Sequence, residues 1–407
     1  MTSSDFQGRH AESSTGAVDP LLSRRSPSAG RRPPMRRPLI IAASALSAVL
    51  LASAGFGAGF GAGIATGESG HDSTPASGGT NHPESGPSGH EEDPKLTTED
   101  GHDHAGHEGS KGTPATYDAT AVPGFGFRPR DAVLPPAPTG RTHKATLTIT
   151  EKVIEVAPGV RQRAWTYNGT LPGPVLRGRV GDTFAITLVN KGSTGHSIDF
   201  HASQVAPDRK MRTIEPGEQL TYTFTAERAG AFMYHCGSAP ALHHIGNGMY
   251  GAIVIDPPNL PDVDQEFVVV QSELALGPQD GLAKLSKLYT ADYDAVAFNG
   301  YAGQYRFAPL TATAGERTRI WVVDAGPSAP SAFHVVGAVF DTVFKDGGYT
   351  VRPDDTAGGG AQVLDLAPSQ GGFVEFTFAE PGEYPVVSHR FADAARGATG
   401  LFKVGAA

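Results

Sequence analysis

Tyr234-His235-Cys236-Gly237-Ser238-Ala239-Pro240-Ala241-Leu242-His243-His244-Ile245-Gly246-Asn247-Gly248-Met249 holds the only cysteine of the 407-residue chain and brackets it with histidines and a methionine. A thiolate, an imidazole a short loop later and a thioether beyond it need only a second imidazole from elsewhere to complete a blue-type copper site. Soft sulfur holds Cu(I) and imidazole also accommodates Cu(II), so such a set passes one electron with little rearrangement.

The missing imidazole lies upstream in His196-Ser197-Ile198-Asp199-Phe200-His201, a β-prone run whose successive side chains alternate between faces. His196 and His201 differ by an odd number and face opposite ways, whereas Asp199 and His201 share a face. His235 and Cys236 are neighbours, so an extended backbone sends one to each side. Two metal sites back to back satisfy both parities: His196, Cys236, His244 and Met249 on one side, and His201 with His235 on the other, with Asp199 beside the second pair. The two metals would then lie on the order of 10 Å apart.

Frequent Val, Thr, Gly and Pro with closely spaced turn signals predict an all-β protein. The net charge of −9 gives no support to nucleic-acid binding, and a single Cys excludes an internal disulfide framework. Residues 1–37 are basic and polar, and their composition predicts disorder. Arg24, Arg25, Arg31, Arg32, Arg36 and Arg37 precede an apolar run over 38–66, which reads as a transmembrane anchor or, if cut near Ala52-Ser53-Ala54, a signal. The positive-inside tendency then places the remaining chain outside the cytoplasm. Residues 67–141 read as a low-complexity linker carrying His71, His82, His90, His102, His104 and His107. Its histidines suit either a plain spacer or a weak copper-collecting segment.

An internal duplication organises the rest. Tyr167-Asn168-Gly169, Val180-Gly181-Asp182-Thr183, Glu215-Pro216-Gly217-Glu218 and Phe232-Met233-Tyr234-His235 are answered by Phe298-Asn299-Gly300, Ala314-Gly315-Glu316-Arg317, Glu380-Pro381-Gly382-Glu383 and Pro385-Val386-Val387-Ser388-His389. Two tandem β-sandwich domains are expected, over 142–257 and 262–407, joined by a Pro-rich linker. The second copy has neither Cys nor Met but keeps His334 and His389. His389, at the repeat position of His235, is the natural third ligand for the two-imidazole site.

These motifs, with His244-Ile245-Gly246-Asn247-Gly248-Met249-Tyr250-Gly251 and Phe333-His334-Val335-Val336-Gly337, resemble the copper-containing nitrite reductases of the cupredoxin and multicopper oxidase superfamily over roughly 142–404. The resemblance implies two cupredoxin-like Greek-key domains and one type 1 and one type 2 copper per subunit. Type 1 ligands would be His196, Cys236, His244 and Met249; type 2 ligands would be His201, His235 and His389. Asp199 and His334 would be the catalytic proton-delivering pair. It further implies one-electron reduction of nitrite to nitric oxide and water, fed by a small cupredoxin or cytochrome c. A homotrimer would set each type 2 site between subunits, with His389 acting in trans. His243 would be a surface residue beside the electron-accepting face, and Val336 stands where the family commonly has a bulkier Ile.

Two other functions compete. A laccase-like multicopper oxidase needs several His-x-His pairs for its trinuclear cluster, and the one such pair here is His102-Asp103-His104 in the linker. A non-catalytic electron carrier or copper-binding protein would need only the type 1 set, and it leaves His201, His235 and His389 without a role.

Overall fold

The computed structural model describes residues 112–354 and 356–407. The expected disordered terminus, the anchor or signal and the His-rich stretch through His107 lie outside the described residues, within which no helix is long and apolar enough to cross a membrane.

Period-two alternation builds the first sandwich. Thr183–Asn190 buries Phe184, Ile186, Leu188 and Asn190 and turns the residues between them outward, as a sheet with one packed face requires. It lies in a four-stranded sheet ordered Val160–Tyr167, Thr142–Ala157, Thr183–Asn190, Gln219–Thr225. The facing sheet runs Leu176–Arg179, Tyr250–Asp256, Gly230–His235, Asp199–Phe200. Ile149, Tyr167, Ile186, Phe200, Tyr222, Tyr234 and Ile253 fill the space between them.

That second sheet is covered on its other face as well. Tyr250–Asp256 is buried at every position, which is why its sequence runs apolar through Ile255 rather than alternating, with the terminal Asp256 paired to Arg177. Ala231, Met233, Ala252 and Val254 join a core with Val268, Val270, Trp321 and Phe373 of the second sandwich. The latter pairs a six-stranded sheet containing Gln265–Leu274, Arg317–Asp324 and Gly371–Thr377 with a five-stranded sheet containing Ser331–Val335, Gly382–Ser388 and Thr399–Gly405. The described helices are single short turns such as Ala241–Gly246. The all-β sandwich architecture is the one the alternation and turn spacing predict.

The expected linker over 67–141 is corrected from Gly112 onward. Ala115, Ala132 and Leu134 are buried, Leu134 N–H donates to the Glu266 carbonyl at 2.9 Å, and Val268 N–H donates to that of Ala132 at 2.7 Å. The composition turns apolar near Pro114, so this arm has side chains to bury, although it is too broken by Gly and Pro to read as a strand.

Glu266 knots the two sandwiches together. Its carboxylate accepts from Arg177 Nη1 and Nη2 at 2.7 and 3.0 Å, from Arg319 Nη1 at 3.1 Å and from Trp321 Nε1 at 2.8 Å. Glu266→Ala leaves Trp321 Nε1 without this acceptor and leaves Arg177 and Arg319 paired with Asp256 and Glu375 alone, and is expected to cost about 1–3 kcal/mol, with Glu266→Gln costing less; denaturant unfolding midpoints check this, and an unchanged midpoint for the Ala variant contradicts it.

Candidate metal centres

The strand Gly230–His235 divides its side chains as parity requires. Ala231 and Met233 enter the core between the sandwiches, while Phe232, Tyr234 and Cys236 enter that of the first. Cys236 Sγ lies 3.3 Å from His244 Nδ1 and 4.0 Å from His196 Nδ1, and the two imidazole nitrogens are 3.1 Å apart. All three residues are buried. One sulfur and two imidazole nitrogens converging within bonding range of a single point, in an apolar core, fit copper by donor chemistry.

Local backbone bonds close this trio. Cys236 N–H donates to the Met249 carbonyl and Met249 N–H to the His244 carbonyl, both at 3.1 Å, so the turn Ala241–Gly246 swings His244 inward. Met249 is fully buried in the same core as Cys236. Ser197 N–H donates to Sγ at 3.3 Å, and Gly237 N–H donates to Ser197 Oγ at 3.0 Å. Burial pushes the Cys236 thiol up, opposed by hydrogen bonds from Ser197 and Ser238, so binding a metal must release its proton. Burial likewise pulls His196 down to about 4.

Trp165 roofs the trio, its ring centroid 5.4 Å from that of His196, 4.7 Å from His244 and 5.1 Å from His243. Sequence reasoning missed it; its place two residues before the repeated Tyr167-Asn168-Gly169 was the available signal. His243 is partly exposed and lines a cavity of about 400 Å³ with Leu276, Leu282 and Lys284.

The second cluster forms across a strand pair. Asp199 is registered opposite His235 and Phe200 opposite Tyr234. His201 Nε2 approaches His235 Nε2 at 3.0 Å, and Asp199 Oδ2 is 3.9 Å from the latter. His235 Nδ1 donates to the Cys236 carbonyl at 3.0 Å in the tautomer that leaves Nε2 as a metal ligand. Burial, then the neighbouring His235, lowers His201, which keeps its imidazole neutral and able to ligate. Among the described residues, these are the two groups of His, Cys, Asp and Glu in metal-holding geometry.

His389 and His334 stand apart from both clusters, in the second sandwich. His334 is registered opposite Val387, so His389 lies diagonally across on the same face, and the ring centroids are 5.3 Å apart. His389 is exposed and rests against Phe391, itself 64% exposed. His334 is buried and its Nδ1 meets the Gln362 carbonyl, a partner no sequence motif signalled. Val336 is 42% exposed beside it.

The unfolded chain binds a proton at His196 near pH 6.5, but the folded apo-protein resists doing so until about pH 4. Stability from this group is therefore present above about pH 6.5 and is lost as pH falls through that window, by up to about 3 kcal/mol. Melting of the apo-protein against pH checks this: His196→Gln should flatten the decline, and an unaltered slope contradicts it.

Residues 148–260 match the family model described as multicopper oxidase. The chain is 35% identical over 266 residues to the copper-containing nitrite reductases of Neisseria gonorrhoeae and Neisseria meningitidis serogroup A, covering 62% of this chain and 66% and 67% of theirs. The solved copper nitrite reductase from Nitrosomonas europaea superposes with a TM-score of 0.60 at 32% identity, over 65% of this chain and 94% of that one. With a buried thiolate–imidazole centre and an imidazole centre back to back on one strand, the chain belongs to the copper-containing nitrite reductases.

Proposed function

We propose that this protein is a copper-dependent enzyme that reduces nitrite by one electron, taking up two protons and releasing nitric oxide and water. The observation that carries this is the placement of Cys236 and His235, consecutive residues, in two different donor clusters.

His196, Cys236 and His244, with Met249 as the axial donor, would hold the type 1 copper; His201 and His235, with His389 from a second copy, would hold the type 2 copper. Bound copper would supply a one-electron carrier at the first centre and a Lewis acid with an open position at the second. Cys236 and His235 then provide a covalent path of one peptide unit between them. Asp199 would hand a proton to the departing oxygen of nitrite, a role that its register opposite His235 supports. His334 of the second copy, brought in beside His389 and with Nδ1–H donated to Gln362, would keep Nε2 for the second proton.

Exposure supports assembly. His389 faces solvent among Phe391 and Val336 while the Asp199–His201–His235 group, also partly exposed, lacks a third imidazole. A homotrimer that lays one surface on the other completes each type 2 site. The face around His243 and Trp165 suits a small donor protein, a cupredoxin or a cytochrome c. The basic-then-apolar N-terminus supports an extracytoplasmic, membrane-anchored or secreted enzyme.

Copper-loaded protein given nitrite and an artificial donor without oxygen should form nitric oxide. Asp199→Asn should keep both coppers and lose about 10²–10⁴ in turnover; unchanged turnover removes its proton role. Cys236→Ala should abolish visible colour and donor-driven turnover while type 2 copper stays bound. Absence of nitric oxide from the wild type, with both coppers present, contradicts the assigned activity.

A further inference from the structure

The loop between the strand Thr183–Asn190 and His196 wraps the far edge of the His196 ring. Asn190, fully buried, shapes it: Nδ2 donates to the carbonyls of Thr194 and Ile214 at 2.8 and 2.9 Å, and Oδ1 accepts from Gly192 N–H at 2.9 Å. Glu151 holds its tip by accepting from Ser193 N–H at 2.9 Å and from the Ser193 hydroxyl. A Cβ at Gly192 would stand 3.2 Å from both His196 Nε2 and Asn190 Oδ1, so the loop is seated directly on the imidazole. Thr194 Oγ1 meets His196 Nε2 at 3.2 Å. Beyond the loop lies a cavity of about 520 Å³ lined by Glu151, Arg163, Trp165, Ser193 and Thr194.

We propose that Thr194 is a positioning residue for the thiolate centre: its hydroxyl accepts the Nε2–H of His196, which fixes the tautomer and ring angle that aim Nδ1 at Cys236 and His244. A neutral imidazole carries one N–H. Placed on Nε2, it leaves the Nδ1 lone pair for a metal; placed on Nδ1, it blocks the site. A hydroxyl oxygen can accept from Nε2–H and so favours the first tautomer. Outer partners of this kind set the orientation and basicity of ligating histidines. His244 and Cys236 reach the centre through their own backbone anchors, so Thr194 acts through His196 alone.

The inference rests on the reading that this trio holds copper. Thr194→Val removes the hydroxyl at nearly constant shape, and Thr194→Ser restores it. In the copper-loaded full chain, the Val variant should bind copper at the thiolate centre about 10- to 100-fold more weakly and show shifted visible bands and a shifted type 1 potential. The Ser variant should recover all three, and the type 2 paramagnetic signal should be the same in every form. Melting of the apo-proteins should be nearly equal, which separates ligand positioning from loss of folding. Val-variant bands, potential and copper affinity matching wild type overturn the proposal while leaving the copper reading intact. Wild-type protein without any thiolate-to-copper band overturns both.

Discussion

A β-strand covered on both faces has to send consecutive side chains into different environments, and Gly230–His235 is such a strand. Its even positions run into the first sandwich, where Cys236 meets His196 and His244, and its odd positions run out between the sandwiches toward His235 and His201. Neither packing alone produces this. A strand with one solvated face would leave one of the two donor sets in water. The close fit is visible at Gly251, where a Cβ would sit 2.3 Å from the Tyr234 ring, so the neighbouring strand must be bare there to admit it.

The second sandwich makes this burial possible. Trp321 and Phe373 press against Met233 and Val254, and the Glu266 carboxylate gathers donors from Arg177 in one sandwich and from Arg319 and Trp321 in the other. Without Cys or Met, this domain carries two imidazoles, His334 and His389, on one face set by the pairing of Ser331–Val335 with Gly382–Ser388. The two sandwiches are thus unlike, the first holding the His196–Cys236–His244 group and the second packing on the other face of its central strand and carrying His334 and His389.

The two donor clusters were legible because chemistry and period coincide in them. A lone Cys among His and Met, and the odd spacing from His196 to His201, allow few arrangements once a strand alternates. The arm after Gly112 was hidden by composition: Gly and Pro interrupt it, and only Ala115, Ala132 and Leu134 bury apolar surface. Trp165, Thr194 and Gln362 were hidden for another reason. Trp165 and Gln362 reach the clustered histidines from distant points of the chain, and Thr194, though only two residues from His196, meets it through one hydrogen bond that the folded loop creates, so these contacts follow from the fold rather than from any local pattern.

Whether Cys236 and His235 hold different metal ions is decided by anomalous scattering at the copper edge, from crystals of the copper-loaded protein. Two copper peaks per chain should lie on opposite faces of Gly230–His235, one among His196, Cys236 and His244 and the other beside His201 and His235. A single peak shared by Cys236 and His235, or no peak at the imidazole cluster, would contradict the account.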